Sequence, residues 1–143
     1  MSEAIAKNLS LLSNLKTPII VIITGEGGSG GALAIGIGDH VCMLEHSIYA
    51  VASPEACASI VWRDGSKAKD AAEAMKVDAS NLQNLGLVDE VIKEPLGGAH
   101  RDIRGVSNSI SQVIEKKLLT FDEVDISDLS LIHISEPTRP IHI

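Results

Sequence analysis

Aromatic residues are nearly missing from this chain, which has one Phe, one Trp and one Tyr among 143 residues. Proteins that bind single-stranded nucleic acid stack the bases on aromatic side chains. The charge is unfavourable too, because 19 acidic against 12 basic residues give a formal net charge of −7, and phosphate binding depends on clustered cations. We therefore expect no nucleic acid among its substrates.

Cysteines are few, and long apolar runs and targeting signals are absent. Cys42 and Cys57 lie in apolar segments without a Cys-x-x-Cys or Cys/His pattern at zinc spacing, so we expect two reduced thiols, no disulfide and no metal. No run of about eighteen apolar residues would span a membrane. The first residues lack a basic region followed by an apolar core and a cleavage site. These absences predict a soluble, cytoplasmic protein of about one domain.

The most informative stretch that is present is the glycine-rich segment 24–39. It follows the β-branched run 19–23, which is typical of a strand buried on both faces, and leads into an Ala/Leu-rich helix that Gly36 and Gly38 interrupt within about two turns. Amides at a helix start have no intrahelical partner, and glycines let a reacting group approach them. We place the chemistry at this turn.

Two nucleotide-binding motifs match these glycines in part. Gly25-x-Gly27-x-x-Gly30 is the dinucleotide fingerprint, and Glu45 lies at about the distance of the ribose-binding acid. A Rossmann helix is normally longer than the glycine-interrupted helix predicted here, but the interpretation stays open. A phosphate loop is excluded, because Gly31-Ala32 stands where Lys-Ser/Thr would be required.

The segment Gly27-Gly28-Ser29-Gly30-Gly31 also matches the nucleophile elbow, Gly-x-Ser-x-Gly. Asp89 and His100 follow in the Ser, Asp, His order of an α/β-hydrolase. A serine hydrolase with Ser29 as nucleophile is therefore another interpretation. A purely structural one is that the glycines only allow tight packing between a strand and a helix.

A further mechanism uses the backbone itself. The N–H groups of Gly30 and Gly31, at the predicted helix start, would form an oxyanion hole that stabilises an enolate or a similar charge. One such donor is typically worth about 3 kcal/mol in the transition state. No nucleophilic side chain is then needed.

The residues before the glycine turn predict an amphipathic helix at 2–15, with Ile5, Leu9, Leu12 and Leu15 on one face. A helix that leads into a buried parallel strand is the second half of a βαβ crossover, so a strand should precede it. The sequence starts without one, and we interpret the chain as a fragment.

After the turn, short strands alternate with helices. We expect Asp39 to close the first helix, Ser53 to cap the next and Gly86 to end a later one. His40 and His46 fall at strand ends with no acid at a spacing that would orient them, so we expect solvated turn histidines without a role. The predicted strands are 41–44, 48–52 and 87–92, and the predicted helices are 54–62, 67–75, 79–85 and 103–119.

Three motifs, Gly25 to Gly36, Ser53 to Ile60 and Glu94 to Arg101, occur in an order that resembles the carboxyltransferase α-subunit family of bacterial acetyl-CoA carboxylase. The resemblance runs from about residue 3 to about residue 119. It implies the α/β ClpP/crotonase-like fold of repeated ββα units, incomplete because the N-terminal half is absent. Residues 1–124 would be the C-terminal part of the domain, and residues 125–143 a non-native or disordered tail.

The resemblance implies transfer of a carboxyl group from carboxybiotin to acetyl-CoA, forming malonyl-CoA for fatty-acid biosynthesis. Biotin would be carried covalently by a separate biotin carboxyl carrier protein. The other implied partners are a carboxyltransferase β subunit, in an α2β2-type complex, and biotin carboxylase, which uses ATP. The implied oxyanion donors are Gly30 and Gly31, and the implied substrate-binding residues are Gly27, Gly28, Ser29, Ala52, Ser53, Pro54 and Glu55.

Several segments have both a structural and a functional interpretation within this family resemblance. Asp89 matches an acid that is catalytic in some crotonase-like proteins, but we expect a structural role here. The loop 94–101 is expected to face substrate or a neighbouring subunit, and the helix after it to pack an apolar stripe on another element. A non-catalytic oligomerisation module is also an alternative. The main basic cluster, expected as a solvated face or as a coenzyme A phosphate site, is Arg63, Lys67, Lys69 and Lys76.

Overall fold

A computed structural model of the chain describes residues 2–122. The predicted tail, residues 125–143, lies outside this part. No helix in the described range is long and apolar enough to cross a membrane. The strands are β1 (Ile20–Ile23), β2 (Glu26–Gly28), β3 (His40–Leu44), β4 (Ile48–Ala50) and β5 (Glu90–Ile92). The helices are α1 (Ser2–Leu12), α2 (Ser29–Ile35), α3 (Pro54–Trp62), α4 (Ala68–Met75), α5 (Ala79–Asn84) and α6 (Ile103–Phe121).

The strands form two parallel sheets. The larger sheet has the order β1-β3-β5, and the smaller one pairs β2 with β4. Because β1, β3 and β5 run in the same direction, their carboxyl ends lie at one edge of the sheet. The glycine turn leaves β1 at this edge, and the loop 94–101 leaves β5 there.

Side chains of β3 alternate between the two faces of the larger sheet, as the period of two of a strand requires. Met43 packs with Ile23, Leu82 and Val88 on the α5 face. Cys42 and Leu44 pack with Ile92 and Val106 on the α6 face. The central strand β3 therefore joins two apolar layers.

The expectation that residues 19–23 are buried on both faces holds only in part. Ile23 is buried, whereas Ile20, Val21 and Ile22 are half-buried. The reason is position: within residues 2–122, β1 is an edge strand that pairs with β3 alone.

Local capping signals place the helix starts as predicted. The Ser53 hydroxyl accepts a hydrogen bond from the Ala56 amide at 3.2 Å, and the Asp78 carboxylate accepts one from the Asn81 amide at 3.1 Å. Asp102 does the same for Gly105 at 2.9 Å. Gly86 has a φ of 71° just after α5, in the left-handed region that favours glycine.

Asp39 was expected to close α2, and this prediction is wrong. The helix ends at Ile35 with Gly36 as its C-cap. The Asp39 carboxylate instead accepts a hydrogen bond from the Ile19 amide at 2.7 Å, and its own amide donates to the Ile19 carbonyl at 2.8 Å. Asp39 thus joins the start of β1 to the start of β3.

The predicted apolar stripe of α6 is only partly correct. Val106 is buried, and Ile110 and Val113 pack against the same core cluster. Ile103 and Leu118, however, are 69% and 46% exposed. They lie toward the two ends of the 19-residue helix, whereas the core cluster contacts its middle.

Candidate active site

The glycine turn presents backbone amides that no side chain caps. Gly28 precedes α2 in an extended conformation and makes no side-chain cap hydrogen bond. Ser29, Gly30 and Gly31 form the first turn of α2, where amides lack an intrahelical acceptor. Within residues 2–122, no acceptor outside the helix is found for the amides of Gly30 and Gly31. Both N–H groups are therefore candidates for binding a ligand oxygen.

The space beside the turn differs from one glycine to the next. A Cβ atom added at Gly28 or Gly31 would meet nothing within 4 Å, and at Gly30 it would meet only Ile5 Cδ1, at 3.8 Å. At Gly27 it would lie 2.9 Å from Tyr49 Cδ2. Gly27 is therefore needed for packing, whereas Gly28 and Gly31 border open space.

Gly36 and Gly38 allow tight packing, which was the structural interpretation given to the glycines of segment 24–39. A Cβ at Gly36 would lie 2.5 Å from the Tyr49 hydroxyl, and one at Gly38 would lie 2.8 Å from Val21 Cγ2 and 2.9 Å from the Ile19 carbonyl oxygen. Side chains at these two positions would push the sheet and its neighbours apart.

Ser29 has a φ of 63°, a left-handed conformation that is uncommon for residues other than glycine. The hydrolase interpretation requires a histidine to activate its hydroxyl, and within residues 2–122 no hydrogen bond from Ser29 to a histidine is found. Asp89 is occupied elsewhere, because its carboxylate accepts the Val41 amide at 2.8 Å and its amide donates to the Val41 carbonyl at 2.8 Å. The structure assembles no Ser-Asp-His triad in this range, and the bonds of Asp89 support the structural role expected for it.

The second predicted substrate segment, 52–55, begins α3. Ser53 is its N-cap, and Pro54 is its first residue. Hydrogen bonds from its own backbone N–H and from the Ser53 hydroxyl hold the pKa of Glu55 below its ordinary value. These contacts are those of a well-capped helix, and the segment does not contact the Gly30 and Gly31 amides through any hydrogen bond found in the described range.

An apolar cavity of about 450 Å³ lies next to this segment, and sequence reasoning did not identify it. Val51 and Cys57, which flank 52–55, contribute to its lining, together with Tyr49 and Leu82. Burial raises the pKa of the Tyr49 phenol. No local pattern in the sequence marks this cavity, because its lining comes from residues 36–41, 49–57 and 75–87, which only the fold brings together.

The prediction of a solvated His40 is wrong. His40 is only 6% exposed, and its Nδ1 and Nε2 atoms lie 3.6 Å from Asp89 Oδ2 and 3.4 Å from Glu90 Oε2. The parallel pairing of β3 with β5 brings these acids to it from about fifty residues away. His46 is exposed as expected, but Glu94 orients it, with 2.8 Å between Nδ1 and Oε2.

His40, Cys42 and Glu90 have candidate ligand atoms that all lie within 4.8 Å of one another. Their donor types suit zinc, but a zinc-bound cysteine is a thiolate. Burial, and then the charges of Glu90 and Asp89, raises the pKa of Cys42 to about 11. The thiol is therefore protonated near neutral pH while no metal is bound, and the absence of a metal stays a prediction.

The basic cluster lies on the surface around α4. Arg63, Lys67, Lys69 and Lys76 are all exposed. Within the described residues none of them forms an ion pair of 4.0 Å or less. The arrangement is that of a solvated face, and its binding to a coenzyme A phosphate stays a prediction.

Comparison with known proteins identifies the family. The family model described as acetyl co-enzyme A carboxylase carboxyltransferase-like matches residues 1–134. The acetyl-coenzyme A carboxylase carboxyl transferase subunit alpha of Vibrio cholerae is 55% identical over 128 residues, covering 90% of this chain and 40% of the relative. The protein of the same name from Alcanivorax borkumensis is 58% identical over 117 residues, covering 82% of this chain and 36% of the relative. The chain thus spans about two fifths of the length of these relatives.

Solved structures support the fold. A Pseudomonas malonate decarboxylase hetero-tetramer in complex with coenzyme A superimposes with a TM-score of 0.57 at 18% identity, over 78% of this chain and 48% of the other. The transcarboxylase 12S core gives a TM-score of 0.53 at 20% identity, over 76% of this chain and 23% of the other. The predicted crotonase-like α/β fold is confirmed. On the match of its sequence over 134 residues, this chain belongs to the acetyl co-enzyme A carboxylase carboxyltransferase-like family.

Proposed function

We propose that this chain is the part of a carboxyltransferase α subunit that supplies a backbone oxyanion hole for the formation of malonyl-CoA from acetyl-CoA. The observation that carries the proposal is the uncapped turn of Gly30 and Gly31, where a Cβ added at Gly31 would meet nothing within 4 Å and which lies within the range 1–134 matched by the family model. A carboxyl group carried on biotin, itself attached to a separate carrier protein, supplies the carbon dioxide.

The contribution of this chain is electrostatic. Carboxybiotin would release carbon dioxide as its carboxyl carbon–nitrogen bond breaks, and the ureido group left by this step would take the proton from acetyl-CoA. The resulting enolate carbon would then form its bond to the carbon dioxide. The Gly30 and Gly31 amides would donate hydrogen bonds to the ureido oxygen, on which negative charge would develop as the carbon–nitrogen bond breaks. Fixed donors need no reorganisation as the charge develops, so they favour the transition state over the ground state.

The amides themselves, rather than the dipole of a long helix, are the active element in this proposal. Helix α2 has only seven residues, so its macrodipole is small. Gly31 lacks a side chain that would occupy the ligand space, and Gly27 lets the turn pack on Tyr49. Gly27 is thus needed for packing of the turn, whereas Gly31 leaves space beside it for a ligand.

Partners complete the proposed site. Because the chain spans 40% of its Vibrio cholerae relative, we propose that the rest of an α subunit and a carboxyltransferase β subunit supply the remaining walls and most of the coenzyme A site. Biotin carboxylase would reload the carrier in an ATP-dependent step. We propose the cytoplasm as the compartment.

Gly31→Val tests the proposal in a full-length α subunit assembled with its β subunit. Valine would fill the open space beside the amides without meeting the core, so we expect kcat for biotin-dependent carboxyl transfer to fall on the order of 100-fold, the typical cost of losing one oxyanion donor. Thermal unfolding and complex assembly should change little.

Gly25→Val is the matched control, because a Cβ there also meets nothing within 4 Å but its amide does not lie in the first turn of α2. Ser29→Ala should retain transfer, since no serine nucleophile is required. Full activity of a folded Gly31→Val complex would refute the oxyanion role, and loss of activity with Ser29→Ala would favour a serine mechanism.

A further inference from the structure

The loop 94–101 lies at the same edge of the larger sheet as the glycine turn, and the turn 45–47 joins the two. The Ser47 hydroxyl donates to the carbonyl of Ile23, the last residue of β1, at 3.0 Å. The Ile48 amide donates to the Gly25 carbonyl at 2.9 Å. On its other side, the Glu45 amide donates to the carbonyl of Ile92, the last residue of β5, at 2.9 Å.

Glu94 fixes the first residue of the loop. Its side chain is 6% exposed. Its Oε2 atom accepts hydrogen bonds from the His46 backbone N–H at 2.7 Å and from the ring nitrogen Nδ1 at 2.8 Å, and its Oε1 atom accepts from the Ala99 amide at 2.8 Å. One buried carboxylate therefore links the turn 45–47 to the start of the 3₁₀ turn Ala99–Arg101.

The next part of the loop holds the side chains of Arg101 and His100 against glycine backbone. Gly97 and Gly98 have φ values of 90° and 98°, which L side chains rarely adopt. A Cβ at Gly97 would lie 3.3 Å from Arg101 Cγ, and one at Gly98 would lie 3.3 Å from His100 Nδ1. The glycines thus provide both the backbone turn and the space for His100 and Arg101 to fold back.

His100 and Arg101 make no hydrogen bond or ion pair of their side chains within the described residues, and both are exposed. A guanidinium can form paired hydrogen bonds with a carboxylate or phosphate group, and an imidazole N–H can donate to the same kind of oxygen. His100 and Arg101 follow directly on Ala99, whose amide binds the buried Glu94 carboxylate, so Glu94 fixes the backbone that leads into both side chains.

We propose that Glu94 is a positioning residue that fixes His100 and Arg101 as a subsite for an anionic oxygen group of the acyl-CoA substrate. The inference rests on the proposed function and adds to it the place where the anion binds. Two groups share this chemistry: a phosphate of the coenzyme A moiety and the carboxylate of the malonyl product.

Arg101→Ala in the full-length α subunit, assembled with β, tests the subsite. If the subsite binds a phosphate, KM for acetyl-CoA rises about tenfold, as loss of one charge-assisted hydrogen bond predicts, and KM for acetyl-pantetheine, which has no phosphate, is unchanged. If it binds the product carboxylate, KM for malonyl-pantetheine in the reverse reaction rises instead. A rise in KM for acetyl-CoA alone or for malonyl-pantetheine alone supports the inference. If Arg101→Ala leaves the KM of all three substrates at its wild-type value, the inference is wrong.

Arg104→Ala is the matched control, because Arg104 is an exposed arginine one turn further on, in α6. It should leave all three KM values unchanged. If it raised them as much as Arg101→Ala does, a general loss of positive charge rather than a subsite would explain the effect, and the inference would be wrong.

Glu94→Gln tests the positioning role, since glutamine keeps the size but loses the charge that binds His46. We expect faster amide hydrogen exchange in residues 95–101, a KM rise in the same substrates as Arg101→Ala, and little change in kcat. Glu115→Gln, at an exposed position of α6, is the control. Unchanged exchange and KM in Glu94→Gln would exclude the positioning role.

Equilibrium binding separates this inference from the proposed function. Binding of coenzyme A and of malonate to the assembled complex can be measured without turnover. A wild-type complex that binds either ligand through Arg101 but transfers no carboxyl group would contradict the proposed function alone. An active complex whose affinities for coenzyme A and malonate are unchanged by Arg101→Ala would contradict the subsite alone.

Discussion

At the scale of single residues, the two cysteines have contrasting environments. Cys42 is fully buried, and burial followed by the charges of Glu90 and Asp89 raises its pKa to about 11, whereas Cys57 is half-buried beside the apolar cavity. The Cys42 thiolate fraction at pH 8 is then about 0.1%, from the definition of the pKa. Since the thiolate is the reactive form, we predict that a thiol reagent modifies Cys57 in the native chain and Cys42 only after unfolding.

Titration with a chromogenic disulfide at pH 8, with Cys57→Ser as the control, checks this prediction. Because the pKa of Cys42 is raised in the folded state, its contribution to stability is complete below the ordinary value of 9.0 and declines as the pH rises toward 11. Rapid labelling of Cys42 in native Cys57→Ser would show that the α6 face of the sheet opens readily.

Single residues also show what a sequence alone cannot give. The caps at Ser53 and Asp78 are local signals, and they were predictable because donor and acceptor lie three residues apart. The burial of His40 was not, because its partners Asp89 and Glu90 are about fifty residues away and meet it only through strand pairing. The same holds for the contact of His46 with Glu94.

At the scale of elements, α5 depends on one cap. Asp78 accepts hydrogen bonds from the Asn81 amide and side chain, and the six-residue helix buries Ala79 and Leu82 in the core. We predict that Asp78→Ala lowers the free energy of unfolding by about 1 kcal/mol, the usual cost of a lost N-cap. Asp70→Ala, which removes an exposed acid from the first turn of α4, should cost less.

The pH dependence gives this prediction a second measurement. Hydrogen bonds from the Asn81 side chain and then its amide lower the pKa of Asp78 below its ordinary value of 3.8. A lowered folded pKa stabilises the fold above the ordinary value, and the contribution is lost as the pH falls through the folded one. Denaturant unfolding at pH 7 and at progressively lower pH should show the difference between wild type and Asp78→Ala shrinking. A constant difference would mean that the cap does not act through its charge.

Elements were more predictable than their pairing. The helix pattern and the glycine turn were correct because apolar spacing and capping residues are local, although strand 87–92 is shorter in the structure, at Glu90–Ile92. The pairing of β2 with β4 in a separate sheet had no signal, since Glu26–Gly28 has no apolar alternation. The open amides were inferred from the glycine pattern, whereas the apolar cavity required the fold itself.

At the scale of the whole molecule, several large apolar side chains are exposed on the described surface. At the end of α3, Ile60 and Val61 are 75% and 68% exposed, and Trp62, the chain's only tryptophan, is 41% exposed. The edge strand β1 is half-buried as well. The end of α3 thus exposes three consecutive apolar side chains of the kind that proteins normally cover.

We predict that the 143-residue chain self-associates as its concentration rises, because burying this apolar surface against a second copy removes it from water, which is favourable. Ile60→Lys should shift the chain toward the monomer in sedimentation equilibrium and leave the Trp62 emission red-shifted at concentrations where the wild-type emission has moved to the blue. Ser107→Lys, which adds the same charge at an exposed position of α6, should behave as wild type. A wild-type mass that stays monomeric at all concentrations would contradict the prediction, and an equal effect of both lysines would assign the association to net charge instead of the α3 surface.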